Sequence, residues 1–270
     1  KRRAKAAEIG CVTDNGLLQA DFKGNHPENG TRVWTCERSA VVLNYGFVES
    51  ITNSVLSSKE DTMKLQIALD TLTLEECVAL INEVREQVGI IEVGTPMVIE
   101  SGMVPVRELK KRFPELDVLA DVKIVDAGGY EAGKCFEAGA DIVTVLGVSH
   151  DATIADVVRC AGTHRRKVMA DMICVQDVGG RARRLDELGV DYICAHTAFD
   201  VQSAGGNPLD ELRLINRAIR RAKSAVAGGV KLATIDEIVA EGAEVIVVGG
   251  AICNAPDRAH MAKALKGRLK

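Results

Sequence analysis

In the stretch LADVKIVDAGGYEAG, residues 119–133, an apolar, strand-forming run carries Asp121 and Lys123 and closes at Asp126, just before a glycine pair and a helical segment. Two carboxylates and an amine within six residues are costly at the edge of a core unless something there uses them. The same order, apolar run followed by helical stretch, extends outward from this segment in both directions. Before it come KLQIALD (64–70) and GIIEVG (89–94). After it come DIVTVLG, KVMADMI, DYICAHT, KSAVAGG and EVIVVGG, each followed by a segment with helical apolar spacing. Nearly all-apolar runs are what parallel strands covered on both faces require. The helical segments ending in EAGAD, ELGVD and AEGAE place a glycine at the helix stop. Eight such units predict an α/β fold, a (β/α)8 TIM barrel over residues 63–270. The rival, a doubly wound open sheet, lacks support because no G-x-G-x-x-G follows the first strand.

Residues 1–62 read differently. They show no clear period, hold the single Trp34, and end in SSKEDT before Met63. The reading is an N-terminal extension of unknown role, expected to take no catalytic part, with a small accessory module or a misplaced start as the alternatives. KRRAKAA could be a targeting remnant, but no apolar targeting core follows it. Net charge is −4, aromatic residues make up 3% of the chain, and no basic stripe is interleaved with aromatics. A nucleic-acid partner is not expected. No apolar run has the ~20 residues of a membrane span, so no membrane partner is expected. The eight cysteines form no C-x-x-C pair. They are expected to be reduced, buried thiols of a cytoplasmic protein.

In such a barrel the chemistry belongs at the C-terminal strand ends. The candidates there are Asp70, Glu92, Asp121, Lys123, Asp126 and His196. Strict alternation would point Asp121 and Lys123 the same way, into the barrel mouth. A structural ion pair at the rim is the plainer alternative for these two. Glu92 and Asp121 together offer two oxygen ligands, which suits Mg²⁺. His196 ends its strand before a polar loop, where an imidazole could move a proton near neutral pH; a packed core histidine is the alternative. The pairs Gly228-Gly229 and Gly249-Gly250 would let backbone N–H groups approach an anion, and together they imply a small phosphorylated substrate.

From Met63 onward these residues resemble the 3-hexulose-6-phosphate synthases of the orotidine 5′-phosphate decarboxylase superfamily. The resemblance is carried by QIALD, IIEVGTP, LADVKIVDAGGYEA, GADIVTVLG, DATI, LGVDYICAHTAFDVQ, AVAGGV and VIVVGGAI, with the D-x-K-x-x-D motif at Asp121, Lys123 and Asp126. It implies a lyase that adds formaldehyde to D-ribulose 5-phosphate, the aldol step of the ribulose monophosphate pathway. By the resemblance, Glu92 and Asp121 would hold Mg²⁺ and His196 would carry the C1 proton. Lys123 would add positive charge at the enediolate, and Asp70 would fix a substrate hydroxyl. Amides at Gly229, Gly250 and Ala251 would hold the phosphate. Asp126 would reach across a homodimer interface into a shared active site. The sister 3-keto-L-gulonate-6-phosphate decarboxylases resemble the chain less: Phe199 and the Gly249-Gly250 pair stand where they carry arginine. Ala198 and Val125 depart from the synthase pattern by small or apolar changes. Ala120 stands where orotidine 5′-phosphate decarboxylase has lysine. A phosphosugar-binding barrel without turnover is the reading from another class.

Overall fold

The structure is a computed structural model. It describes residues 63–202 and 208–269, together with backbone segments 9–13, 16–20, 23–25, 33–36 and 39–41. The chain divides into two units, Lys1–Asp61 and Thr62–Lys270. In the first, β1 (Ile9–Thr13) pairs antiparallel with β2 (Gly16–Ala20). β3 (Lys23–Asn25), β4 (Val33–Cys36) and β5 (Ser39–Val41) form an antiparallel three-stranded sheet.

The second unit is a closed barrel of eight parallel strands. They are β6 (Lys64–Leu69), β7 (Ile90–Val93), β8 (Asp117–Ile124), β9 (Ile142–Leu146), β10 (Lys167–Asp171), β11 (Tyr192–His196), β12 (Lys223–Ala227) and β13 (Val245–Val248). Each pairs with its sequence neighbour, and β13 closes on β6. Alternate residues divide the core into two. Ile90, Leu119, Ile142, Met169, Tyr192 and Cys194 belong to the cluster that fills the barrel. Ile91, Val118, Val143, Val168 and Ile193 pack outward against the helices. This double burial is why the strands carry almost no polar residue.

The expected helices are present as α1 (Leu74–Val84), α3 (Val104–Arg112), α4 (Gly128–Glu137), α5 (Asp151–His164), α6 (Val178–Leu188), α8 (Leu209–Ala218), α9 (Ile235–Ala240) and α11 (Arg258–Lys266). Three short helices were not anticipated: α2 (Thr95–Ser101), α7 (Phe199–Gln202) and α10 (Gly250–Cys253). Each is two turns or less, so it carries too little apolar period to be seen. α1 starts in a capping box: the Thr73 N–H donates to Glu76 Oε2 at 2.8 Å, and the Glu76 N–H donates to Thr73 Oγ1 at 3.3 Å. Gly139, Gly189 and Gly242 take φ of 103°, 89° and 77°, the left-handed backbone their helix exits need.

The acids of those exits have a mechanical job. Asp141 immediately precedes β9 and accepts the Val118 N–H of β8 at 2.9 Å. Asp191 immediately precedes β11 and accepts the Val168 N–H of β10 at 2.8 Å. Glu244 immediately precedes β13 and pairs with Lys223 of β12. Each carboxylate thus ties its strand to the preceding one at the N-terminal end of the barrel. Asp141 is also paired with Lys110 at 2.8 Å and with Arg166.

The thiol expectation holds for Cys77, Cys135 and Cys194, which are free and buried, but Cys174 is exposed. Cys174 sits in a loop with φ of 64°, whereas Cys194 lies on β11 and Cys77 and Cys135 lie on α1 and α4. Cys11 and Cys36 lie outside the residues whose side chains are described. Among the described residues no helix is long and apolar enough to cross a membrane.

Replacing Asp141 by Ala strands the buried Val118 N–H and two cations. The expected loss is about 2–4 kcal/mol of stability, read as a lowered urea midpoint. A change under about 0.5 kcal/mol would show that this tether carries no weight.

Candidate active site

The C-terminal mouth of the barrel opens into a cavity of about 1280 Å³. Asp70, Glu92, Asp121, Lys123 and His196 all line it, as do Gly228, Gly229, Gly249, Gly250 and Ala251. Of the residues expected at the site, the structure leaves one out. Asp126 is exposed on the loop past β8, where its Oδ1 accepts the Ala127 N–H at 2.8 Å.

Asp121 is the hub. It is 5% exposed, and its two oxygens have three side-chain donors nearby. Thr144 Oγ1 donates to Oδ1 at 2.7 Å, and Lys123 Nζ to Oδ2 at 2.6 Å. Thr95 Oγ1 lies 2.8 Å from Oδ2 and 2.7 Å from the Asp121 carbonyl oxygen. Lys123 Nζ also reaches Asp171 Oδ2 at 3.3 Å, and the same oxygen is 2.9 Å from His196 Nδ1. The result is a chain of alternating charge: Asp121, Lys123, Asp171, His196.

Lys123 does not reach the mouth by strand alternation, as the sequence had suggested. Ala120 pairs with Val143 and Ile124 with Val145, so four steps along β8 match two along β9. Lys123 lies inside this bulge at φ of 48°, and its backbone N–H donates to Thr144 Oγ1 at 2.9 Å. The bulge breaks the pleat and brings Asp121 and Lys123 into the mouth together. Left-handed backbone at a non-glycine residue costs about 1–2 kcal/mol, and the ion pairs of Lys123 offset it.

The surroundings set each group's charge. Burial works against the Lys123 ammonium, but Asp121 and then Asp171 outweigh it and hold its pKa above the ordinary value. Burial raises Asp171, but the hydrogen bond from His196 and its charge prevail, so Asp171 lies below the ordinary range. Burial disfavours the His196 imidazolium, but Asp171 raises its pKa above 6.5. Glu92 differs. Burial pushes it up to about 8, Asp121 adds to the push, and the Gln66 hydrogen bond works against it. Gln66 Nε2 donates to Glu92 Oε2 at 2.6 Å, while Gln66 Oε1 is buried without a hydrogen-bond partner.

Asp171 was missed in the sequence, as were Thr144, Thr95 and Gln66. A signal for Asp171 was present: it interrupts the apolar run KVMADMI just as Glu92 interrupts GIIEVG. The three neutral residues gave none, since nothing about an isolated Thr or Gln marks it as a site residue.

The far side of the mouth is built from glycines. Gly228 and Gly229 take φ of 92° and 73°. A Cβ at Gly228 would lie 2.2 Å from the Thr197 carbonyl oxygen, so the loop after β12 lies directly on the exit of β11. Gly249 and Gly250 lead into α10 beside it. At Gly94 a Cβ would lie 2.0 Å from Asp70 Oδ1, so only glycine there leaves Asp70 its place at the rim. Among the described residues no group of three or more His, Cys, Asp or Glu forms a ready-made metal cage.

Comparison with known proteins agrees with this geometry. A family model described as the orotidine 5′-phosphate decarboxylase / HUMPS family matches residues 63–265. The 3-hexulose-6-phosphate synthase of Bacillus subtilis strain 168 is 47% identical over 204 residues, 76% of this chain and 97% of that protein. The solved structure of 3-hexulose-6-phosphate synthase from Salmonella typhimurium superposes with a TM-score of 0.75 at 43% identity, covering 77% of this chain and 98% of that one. The structure of 3-keto-L-gulonate-6-phosphate decarboxylase from Vibrio cholerae is more distant, at 28% identity and a TM-score of 0.68, over 77% of this chain and 97% of that one. With its barrel matched almost end to end and its charged strand ends converging on one mouth, the chain belongs to the orotidine 5′-phosphate decarboxylase / HUMPS family.

Proposed function

We propose that the barrel is a lyase that joins formaldehyde to D-ribulose 5-phosphate in a reversible, Mg²⁺-dependent aldol addition, giving D-arabino-hex-3-ulose 6-phosphate. The observation that carries this reading is the Asp121–Lys123–Asp171–His196 chain facing a glycine-lined cradle across one cavity. The similarity to proteins named 3-hexulose-6-phosphate synthase gives the reaction.

The residues divide the work as follows. His196 Nδ1 donates to Asp171, so Nε2 is the atom left to take the proton from C1 of the ketose. Asp171 also stabilises the imidazolium that forms. The Lys123 ammonium lies where negative charge develops on the enediolate oxygens. C1 of the enediolate then attacks the formaldehyde carbon. One carbon–carbon bond forms, and the proton on His196 passes to the new alkoxide, so nothing is oxidised or reduced. Asp70 at the rim accepts from a substrate hydroxyl. Amides at Gly229, Gly250 and Ala251 hold the phosphate.

Mg²⁺ would be held by Glu92 and Asp121, where it supplies Lewis-acid charge to adjacent ketose oxygens. The donor set fits it. Two carboxylates with room for water and substrate are the usual Mg²⁺ arrangement. Burial and the nearby Asp121 charge resist ionisation of Glu92, which favours a cation beside the pair, and Gln66 Oε1 is an acceptor in want of a donor. The decarboxylase alternative has less support, since Phe199 and Gly249-Gly250 supply none of its arginines.

The reading extends to a homodimer with shared sites. Asp126 is exposed, and its neighbours Val125 and Tyr130 are exposed apolar side chains at 55% and 71%.

Incubation with ribulose 5-phosphate, formaldehyde and Mg²⁺ should consume formaldehyde, and EDTA should stop it. No consumption, with CO₂ released from 3-keto-L-gulonate 6-phosphate instead, would reject the synthase; turnover that ignores EDTA would reject the metal. For the base, kcat/KM should rise with pH through a pKa above 6.5, because His196 must lose its proton to act and Asp171 holds that proton on. In Asp171→Asn this limb should move to lower pH; an unmoved limb would remove Asp171 from the mechanism. For the dimer, Asp126→Ala and His196→Ala should each be nearly inactive. Mixed and reassociated, they should regain about a quarter of wild-type activity, because half the dimers would be mixed and each would rebuild one of its two sites. No regain would confine Asp126 to its own subunit.

A further inference from the structure

The cavity is short of positive charge where its ligand has most negative charge. Five carboxylates line it among the described residues, against three basic side chains: Lys123, His196 and Lys231. Two of those three are already engaged. Lys123 is paired with Asp121 and Asp171, and His196 with Asp171. Neither can turn to a phosphate without leaving a buried carboxylate unpaired, which is costly.

Lys231 is different in three ways. Among the described residues it is paired with no carboxylate, and its side chain is exposed at the mouth. It lies two residues past Gly229, on the glycine side of the cavity, so its four-carbon arm starts at the cradle. Its backbone is also pinned. The Lys231 carbonyl accepts the N–H groups of Thr234 and Ile235 at 2.9 and 3.0 Å, and its own N–H donates to Thr234 Oγ1 at 3.2 Å. A fixed base carries an exposed ammonium with no ion pair among the described residues.

The glycine cradle has a neighbour that makes such a cation useful. A Cβ at Gly249 would lie 3.9 Å from Asp70 Oδ2, so an acid sits close to the place the phosphate would take. Backbone amides can orient a phosphate there, but they carry only partial charge against that carboxylate. The loop into α10 supplies no cationic side chain, since Gly249, Gly250 and Ala251 are all small.

We infer that Lys231 is the side chain that neutralises the substrate phosphate, and that it sets the preference of this barrel for a phosphorylated ketose. The inference rests on the reading of the glycine side as a phosphate cradle. Lys231 closes over the phosphate after binding and takes no part in proton transfer. Its loss therefore weakens binding far more than it slows chemistry.

The test uses the full chain with Lys231→Met and Lys231→Arg. Charge-assisted contacts of this kind are worth about 10- to 100-fold in affinity. In Lys231→Met the KM for ribulose 5-phosphate should rise by that factor while kcat falls less than about threefold, and Lys231→Arg should recover most of the KM. Inorganic phosphate, as a competitive inhibitor and as a stabiliser in thermal melts without metal, should lose potency on Lys231→Met in parallel. Unchanged KM and unchanged phosphate binding in Lys231→Met would overturn the assignment. So would a fall in kcat with a lowered melting temperature and no change in phosphate affinity, which would mark a structural role. If the wild-type chain neither turns over ribulose 5-phosphate nor binds inorganic phosphate, the cradle reading itself fails; an active wild type with an indistinguishable Lys231→Met rejects Lys231 alone.

Discussion

Lys123 stands between Asp121 and Asp171, at 2.6 and 3.3 Å, and the organisation of the mouth depends on this placement. Two carboxylates this deeply buried would repel each other and resist ionisation without a cation between them. With Lys123 in place that repulsion is offset, Asp171 lies below the ordinary carboxylate range, and it holds His196. The cost is local. β8 must bulge, and Lys123 must accept left-handed backbone. Thr144 makes this tolerable from both sides: it accepts the Lys123 N–H and donates to Asp121. Strain in the strand and order in the site are the same feature, which is a common arrangement at functional positions.

Glu92 at the mouth is set apart from the acids at the other end of the barrel. At the N-terminal end, Asp141, Asp191 and Glu244 are satisfied by backbone N–H groups or cations, and they bind strand to strand. At the C-terminal end, the neutral Gln66 amide donates to Glu92, and burial pushes Glu92 up to about 8. An acid left under-compensated in a buried place is retained at a cost to stability. That difference matches the general division of this fold between a stabilising N-terminal face and a C-terminal face where sites are built.

All eight barrel strands were legible because double burial removes polar residues from parallel strands and leaves short apolar runs between glycine-ended helices. The exits GAD, GVD and GAE were visible as punctuation, but their tethering role was not: it depends on which strand lies alongside, and that is known only once the barrel closes. The site was legible where a charge interrupts an apolar run, as at Glu92, Asp121, Lys123 and His196. The same cue at Asp171 was passed over. Thr144, Thr95 and Gln66 could not have been found this way, because a neutral polar residue in a strand looks like tolerated variation until its partner is seen. The alternation argument reached the right conclusion for Lys123 by a wrong route, since no sequence rule announces a bulge. A histidine able to move a proton and glycine pairs able to approach an anion were legible from the residues; the reaction itself and the C1 proton came from family resemblance.

The proposed base and the proposed phosphate cradle are mechanically joined, and this bears on how binding energy could serve chemistry. His196 ends β11, and Thr197 follows it. The Thr197 N–H donates to the Ala227 carbonyl at 3.2 Å, and Gly228 packs so closely on the Thr197 carbonyl that a Cβ there would lie 2.2 Å from it. One residue therefore separates His196 from the proposed cradle, and the end of β12 holds it at both its N–H and its carbonyl. A phosphate seated on the glycines would fix the far end of the ketose relative to His196 with little slack. Interactions remote from the reacting carbon lower a barrier when they hold it in register with the catalytic groups. Here the register is set by close backbone packing, not by flexible side chains. Glycine at position 228 is thus a requirement of geometry shared by the proposed anion site and the proposed base.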